Sequence, residues 1–250
     1  MDTILEVRNL SKSFEQTQVL QDISFAVTEG EFIAIMGPSG SGKSTLLYSI
    51  SGMDRPSSGD VLLHGKDIAK LDDKSISEIR LKQMGFVFQQ SYLLKNLSIR
   101  DNIVLPGFKA GTSSRGQVNG QADRLMKKTG IYPVASHDIQ QVSGGEMQRA
   151  AICRALINKP AILFGDEPTG ALNSSTTKEV MDILNRVNEE GTTVIIVTHD
   201  AKVASRASRV IYLLDGSIHA ELNLGPYEGE EMTKTPRQEV LAEWLQQQGF

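Results

Sequence analysis

The chain has 250 residues, a formal net charge of −4 at pH 7, 40% hydrophobic and 22% charged residues. That length buries a sizeable core, as one large domain or two small ones, and the acidic balance argues against a sequence-blind nucleic-acid binder, which needs a broad basic surface, while leaving room for a local basic patch. No apolar run approaches the roughly 18–20 residues that span a bilayer, and the acidic opening MDTILEVRNL lacks the apolar stretch of a secretory signal, so a soluble protein able to dock on a membrane partner is expected.

In chain order, ILEVRNL alternates apolar and polar residues, as an edge or half-buried strand does, and VLQDISFAV repeats the pattern. GEFIAIMG differs: Phe32 to Met36 are all apolar between glycines, which predicts a strand buried on both faces. STLLYSISG reads as a helix closed by Gly52. PSSGDVLLHGKDI is turn, strand, turn, and MGFVFQQ another apolar strand. From about Ser91 to Pro160 the apolar period turns helical, interrupted by GTSSRGQVNGQ (111–121), which is expected to form a mobile surface loop. AILFGDEP and TTVIIVTHD are further buried strands, separated by the helical TTKEVMDILNRVNEEG. RVIYLLDGSI closes as a hairpin on Asp215-Gly216, and the tail TPRQEVLAEWLQQQGF sets Val240, Leu241, Trp244 and Leu245 on one face of a packed terminal helix. Strands alternating with helices predict a mainly parallel α/β sheet. The single cysteine, Cys153, excludes an internal disulfide; its apolar neighbours predict a buried, inert thiol, in keeping with a reducing cytoplasm.

Gly37-Pro38-Ser39-Gly40-Ser41-Gly42-Lys43-Ser44, followed by Thr45, fits G-x-x-x-x-G-K-[ST] at every fixed position. Glycines let backbone N–H groups curl around phosphates, and the following helix aims its positive N-terminus at the anion. Lys43 is expected to reach the β- and γ-phosphates and the Ser44 hydroxyl to ligate Mg²⁺. A bare glycine-rich turn would match this pattern by chance roughly once in a hundred such chains, and the buried strand before and helix after cut that further. ILFGDE ends a later strand on two adjacent carboxylates, Asp166 for the metal's shell and Glu167 as general base for the attacking water. A solvated loop would explain an isolated pair; an apolar strand feeding mutually repelling carboxylates argues for a site. His199 follows VIIVT at a strand's C-terminal end, where ligands of open α/β sheets bind. A lone histidine is more often structural; this placement makes it a candidate γ-phosphate contact. Gln89 also ends a strand, and its amide can touch Mg²⁺ or water, or be a plain surface glutamine. The stretch QVSGGEMQRA (141–150) opens a helix, with Ser143 as N-cap and Glu146 three residues on as a capping box, and such an N-terminus also attracts anions.

Taken together the pieces resemble the ATP-binding subunit of an ABC transporter, over about Ile4 to Ile218 and in that family's order. The resemblance makes Gln89 the glutamine loop, Val142-Ser143-Gly144-Gly145-Glu146 the signature, Ala171-Leu172-Asn173 the loop after the carboxylates, His199 the switch histidine, and Phe14 the aromatic that stacks on adenine. It implies ATP and Mg²⁺ as cofactors, Lys43, Gln89, Glu167 and His199 as catalytic residues, and Ser44, Gln89 and Asp166 around the metal. It also implies a homodimer in the ATP-bound state, head to tail, with Ser143, Gly144 and Gly145 of one copy closing over the γ-phosphate in the other's loop. Four positions depart from the pattern: Val142 for Leu, Glu146 for Gln, Asn173 for Asp and Phe14 for Tyr. None removes a catalytic group.

The implied fold is a P-loop NTPase (RecA-like) with a mainly parallel sheet core, an antiparallel β subdomain and an inserted helical subdomain. The ATP-binding domain is expected over residues 1–223, with 1–90 and 159–223 as core plus antiparallel β and 91–158 helical, and a C-terminal extension over 224–250 ending in a helix. GDEPTGALNS and MGPSGSGKSTLL are most similar to the branch of macrolide-export, lipoprotein-release and bacitracin-resistance ATPases, and HAELNLGPYEGEEM with the terminal helix to antimicrobial-peptide-resistance members. That likeness implies a membrane permease partner with a large extracellular part, no nucleic acid, a place at the cytoplasmic face of the cell membrane, and export of or resistance to antimicrobial peptides or other antibiotics. The alternative is a non-transport ABC ATPase that transmits force to a membrane partner. DNA-maintenance members carry long coiled coils absent from this sequence, translation-factor types resemble two such domains in tandem, and a non-hydrolytic scaffold has no need of Glu167.

Overall fold

Strands form where the period is two or the run is wholly apolar, and helices where the apolar spacing lengthens to three and four. In the computed structural model, which describes residues 2–229 and 236–249, the order is β1 (Thr3–Phe14), β2 (Thr17–Thr28), β3 (Phe32–Met36), α1 (Lys43–Ile50), β4 (Ser58–Leu63), β5 (Lys66–Asp67), α2 (Asp73–Gln83), β6 (Met84–Phe88), α3 (Ile99–Ala110), α4 (Arg115–Lys128), α5 (Gly144–Leu156), β7 (Ile162–Asp166), α6 (Ser174–Glu189), β8 (Thr193–Val197), α7 (Ala201–Ala204), β9 (Arg209–Leu214), β10 (Ser217–Asn223) and α8 (Arg237–Gln247), with short 3₁₀ turns at Tyr132–Val134 and Ile139–Gln141. The chain divides into two units, one of Met1–Ile76 with Val187–Phe250, the other Ser77–Arg186.

In the first unit an antiparallel sheet has the order β2-β1-β4-β5. β1 is half-buried as its alternation predicts, but it is an interior strand, hydrogen-bonded on both sides by β2 and β4. Beside it β3 pairs in parallel with β8 and β9 at once, and β10 adds antiparallel to β9. All five residues of β3 and all five of β8 are buried, apolar throughout except Thr193, as a doubly covered parallel strand requires. The β9–β10 turn places Asp215 (φ 47°) and Gly216 (φ 76°) both in the left-handed region, the Asp-Gly geometry that matches strand twist. Leu241 and Leu245 of α8 are buried and Trp244 packs edge-on against Tyr212 of β9. Val240 stands outside this face and is exposed; at about 100° per residue it sits a quarter-turn from Leu241, at the rim of the stripe.

In the second unit β6 and β7 pair in parallel, Phe88 opposite Asp166, with the Phe86 and Phe164 rings stacked at 5.5 Å. A Cβ on Gly85 would stand 2.7 Å from the Ala155 carbonyl oxygen and 3.1 Å from Pro160, so α5 lies close on β6 because that residue is glycine. The loop expected over 111–121 is confined to the exposed residues 111–114, because α4 begins at Arg115. Ser114 and Gln117 make a reciprocal capping box, and Val118, Ala122, Leu125 and Met126 supply a buried stripe at helical spacing. Packing of that stripe outweighs the helix-weakening glycines at 116 and 120.

The irregular run after β6 is held by Asn102, 1% exposed on α3. Its Oδ1 accepts from Leu94 N–H at 2.6 Å, and its Nδ2 donates to the carbonyls of Leu94, Leu97 and Ser98 at 3.0–3.2 Å. Asn102→Ala leaves a buried N–H and several carbonyls unpaired, and should cost about 2–3 kcal/mol, read as a fall in the urea midpoint at constant slope; a change below about 0.5 kcal/mol would show that water satisfies those groups.

Candidate functional site

Strand β3 delivers the phosphate loop at its C-terminal end. Gly37, Gly40 and Gly42 take φ of 154°, 82° and 96°, values that L side chains resist. A Cβ on Gly37 would collide with the Leu213 carbonyl oxygen of β9 and the Ser41 hydroxyl, and one on Gly42 would meet Leu20 Cδ2 at 2.8 Å and Val19 O at 3.0 Å. The loop therefore curls tightly against β2 and β9. Lys43, first residue of α1, sends Nζ back over the loop to donate to the carbonyls of Gly37 (2.9 Å) and Pro38 (2.7 Å). The loop encloses the Ser41 hydroxyl, which is buried and has no hydrogen-bond partner among the described residues, while Ser39 and Gly40 are exposed. Ser44 and Thr45 follow in the first turn of α1. No acidic side chain occupies that turn, so the field of the helix N-terminus is open to an anion.

His199 lies at the same edge of the parallel strands. Thr198 N–H still donates to Ile35 O, and His199 emerges exposed just beyond. Asp200 caps α7, its Oδ1 accepting from Lys202 N–H at 2.7 Å, so a rigid one-turn helix leaves directly from the histidine. Phe14, at the end of β1, is 49% exposed, with Lys12 Nζ 4.7 Å from its ring centroid.

In the second unit the structure brings Gln89, Asp166 and Glu167 together. Gln89 and Glu167 each follow the last residue of paired strands, since Phe88 opposes Asp166. Glu167 has φ 49°, which breaks the strand's alternation and redirects its side chain, and its carbonyl accepts from Gly170 N–H to close a turn. A Cβ on Gly170 would stand 3.0 Å from Gln89 Nε2, so Gln89 lies against the turn that carries Glu167.

Sequence reasoning missed what holds these ends in place. Gln148, 2% exposed on α5, donates through Nε2 to Phe88 O at 2.8 Å and Pro168 O at 2.7 Å. Arg154, six residues further along the helix, donates to Ser91 O and Tyr92 O at 2.7 and 2.6 Å. The sequence hint was slight: Gln148 and Arg154 stand among the apolar residues Ala150, Ala151, Ile152 and Cys153 of one helix, and nothing local names their partners. Cys153, between them, has its thiol pushed up to about 12 by burial and contacts Thr129 Oγ1 at 3.2 Å, so it is no nucleophile.

The N-terminus of the same helix carries the glycine pair. Ser143 Oγ accepts from Glu146 N–H (3.3 Å) and donates to Glu146 Oε2 (2.8 Å), which also accepts Ser143 N–H (2.8 Å). This is the expected capping box. The Ser143 backbone N–H, then its hydroxyl, hold the Glu146 carboxyl below the usual range. Ser143 and Gly144 are exposed, while Gly145 is seated close to Thr176 Cγ2, 2.6 Å from where its Cβ would be. Asn173 caps α6, with Oδ1 accepting from Thr176 N–H at 2.9 Å and Ser175 Oγ at 2.9 Å. Asparagine performs that task as well as aspartate.

Ser44 in the first unit, and Gln89 and Asp166 in the second, carry donor types that a magnesium ion takes. Hydroxyl, amide and carboxylate oxygens suit a hard cation, and Mg²⁺ needs one or two protein ligands when substrate phosphates and water complete its shell. Among the described residues no cluster of three or more His, Cys, Asp or Glu forms a cage of its own.

The sequence pattern described as "ABC transporter" matches residues 20–170. The lipoprotein-releasing system ATP-binding protein LolD of Aquifex aeolicus is 40% identical over 222 residues, 89% of this chain and 99% of that protein. The macrolide export ATP-binding/permease protein MacB of Bdellovibrio bacteriovorus is 38% identical over 96% of this chain, which spans 37% of that longer protein. A solved ATP-binding cassette, a dimer in a post-hydrolysis state with ADP and Pi, is 38% identical with a TM-score of 0.81, over 88% of this chain and 98% of that one. Gln148→Leu should leave two buried carbonyls unpaired and cost about 1–3 kcal/mol, measured by thermal unfolding; an unchanged midpoint would mean the amide does not tie the two strand ends together.

Proposed function

We propose, from the premise that this chain belongs to the ABC transporter family, that it is the subunit whose ATP hydrolysis powers a membrane permease, two copies closing head to tail on ATP. The cassette is an ATPase that takes ATP with Mg²⁺. The observation that carries the two-copy reading is the exposed, capped N-terminus of α5. It presents Ser143 and Gly144 outward, an anion-binding end, in a chain whose own phosphate loop is complete. The dimeric state of the solved cassette of the same fold supports it.

In this reading the loop N–H groups, Lys43 and the N-terminus of α1 bind the phosphates, and Phe14 offers its exposed ring to the adenine. Ser44, Gln89 and Asp166 would hold Mg²⁺, which would supply charge neutralisation for the phosphates. Glu167 accepts the proton of the attacking water as general base, and His199 donates to the γ-phosphate and marks its presence. Ser143 and Gly145 of the second copy complete the phosphate's shell. Binding energy then favours the closed pair, and loss of phosphate releases it. The permease is proposed to be of the macrolide-export and lipoprotein-release type, with a large extracellular part, and the cargo to be antimicrobial peptides or other antibiotics. Support comes from the 40% and 38% identity to a lipoprotein-releasing ATP-binding protein and a macrolide export protein, and from the extension after β10.

Glu167→Gln should yield a dimer that forms only with ATP, seen by light scattering, and Lys43→Ala should abolish turnover; a Glu167→Gln protein that stays monomeric at saturating ATP would count against the two-copy reading. Glu146 supplies a further test. Its folded value lies below the ordinary 4.5, so its capping contribution is fully present above that value and is lost only as pH falls through the lowered one. The cap is thus intact at neutral pH with the carboxylate turned to Ser143, and Glu146→Gln should change ATP affinity less than about tenfold. A larger gain in affinity would show the charge facing the phosphate.

A further inference from the structure

The extension beyond β10 ends in α8, and its first residue spends every donor it has. Arg237 Nε donates to Ser205 O (2.8 Å), Nη2 to Ala207 O (2.6 Å) and Gly225 O (3.0 Å), and Nη1 to Leu224 O (2.9 Å) and Pro226 O (3.1 Å). A guanidinium has five N–H donors, and all five end on backbone carbonyls. The Tyr227 ring lies 5.8 Å from it and 4.7 Å from the guanidinium of Arg206. Burial lowers the pKa of Arg237, yet the group stays charged at any ordinary pH.

Two of those carbonyls belong to the segment that leaves α7. Ser205 is the C-cap of that helix, with its N–H on Ala201 O, and Ala204 N–H donates to Asp200 O. Asp200 caps the other end and is covalently next to His199. A single helical turn, capped at both ends, therefore joins Arg237 to the histidine, and a positive charge at its C-terminus suits the helix dipole. The remaining three bonds fix the chain leaving β10. At the far end of α8, Trp244 packs on Tyr212, which pairs with Met36, the residue before the phosphate loop. The extension is thus anchored to the supports of both His199 and Gly37.

We propose that Arg237 is a positioning residue for His199: by fastening the C-terminal end of α7 it sets where the histidine stands when ATP is bound. The proposal rests on the reading of His199 as the γ-phosphate contact. It assigns a task in turnover to the C-terminal extension, which lies beyond residues 20–170 of the family pattern.

The test uses the whole 250-residue chain and four variants: Arg237→Ala, Arg237→Lys, His199→Ala and the double variant Arg237→Ala/His199→Ala. Basal ATPase is measured against ATP concentration, with the folded fraction read by circular dichroism. Arg237→Ala should lower kcat about tenfold while KM for ATP stays within about twofold, because misplacing a group needed in the transition state costs rate rather than binding. Arg237→Lys, one point charge for a five-donor fork, should recover part of the rate, and it carries the test if the alanine variant does not fold. In the His199→Ala background Arg237→Ala should cost nothing more, since an effect acting through an absent group vanishes. An additive loss, a loss that tracks the folded fraction, or a rise in KM alone overturns the proposal. If His199→Ala itself retains turnover, the reading of the histidine fails; if it loses turnover and Arg237→Ala does not, only the positioning role fails.

Discussion

Three backbone segments cross at the mouth of the phosphate loop with no room for a side chain between them. Gly37 faces the Leu213 carbonyl of β9, Gly42 faces Val19 and Leu20 of β2, and Gly216 of the β9–β10 turn faces Val19 O. The crossing is also hydrogen-bonded: Gly216 N–H donates to Ser41 O, and Gly216 O accepts from Gln21 N–H. A methyl group at any of these positions would push the segments apart. The curl of the loop, the start of α1 and the height of the hairpin all follow from this close approach. It also explains why the parallel strands end where they do: β3 stops at Met36 because Gly37 must leave the strand conformation to clear β9.

The second unit solves a different problem. After β6 the chain runs irregularly to α3, and its carbonyls and N–H groups have no strand partner. Backbone groups left dry are costly, and three side chains meet them: Asn102 from α3, and Gln148 and Arg154 from α5. One consequence bears on function. The helix whose exposed N-terminus carries Ser143 and the glycine pair also grips, one turn further on, the carbonyls beside Gln89 and Glu167. Within that unit any shift of the N-terminus of α5 is a shift of the strand ends, because a helix moves as a rod and a buried bidentate amide does not stretch. Asn158, near the helix's C-terminal end, ties Leu81 and Pro106 to the same body.

Residues whose task is done within their own few positions could be read directly. The curl of the glycine loop, the capping box of Ser143 and Glu146, the wholly buried β3 and β8, and the Asp215-Gly216 turn are each local statements of sterics or periodicity, and each appears where expected. Beyond residue 114 the stretch at 111–121 failed for the opposite reason. Its glycines and serines signal a loop by composition, yet Val118 and Ala122 have a helical stripe to join and Ser114 has Gln117 to cap it. Asn173, where the family pattern has aspartate, is a helix cap, a role indifferent to charge.

By itself the sequence determined which backbone conformations were open at each position, and so the phosphate loop, the strand ends and the family. Those depend on contacts within a few residues, where glycine, an apolar run or a Ser-x-x-Glu spacing leaves one good solution. Only the tertiary structure decided which distant carbonyls would be met by Gln148, Arg154 and Arg237. A buried amide or guanidinium is obliged to find partners, but its chemistry does not say whose. That choice was made by packing: α5 lies on β6 because Gly85 lets it come close, and α8 is held by the burial of Leu241 and Leu245 and by Trp244 against Tyr212 of β9.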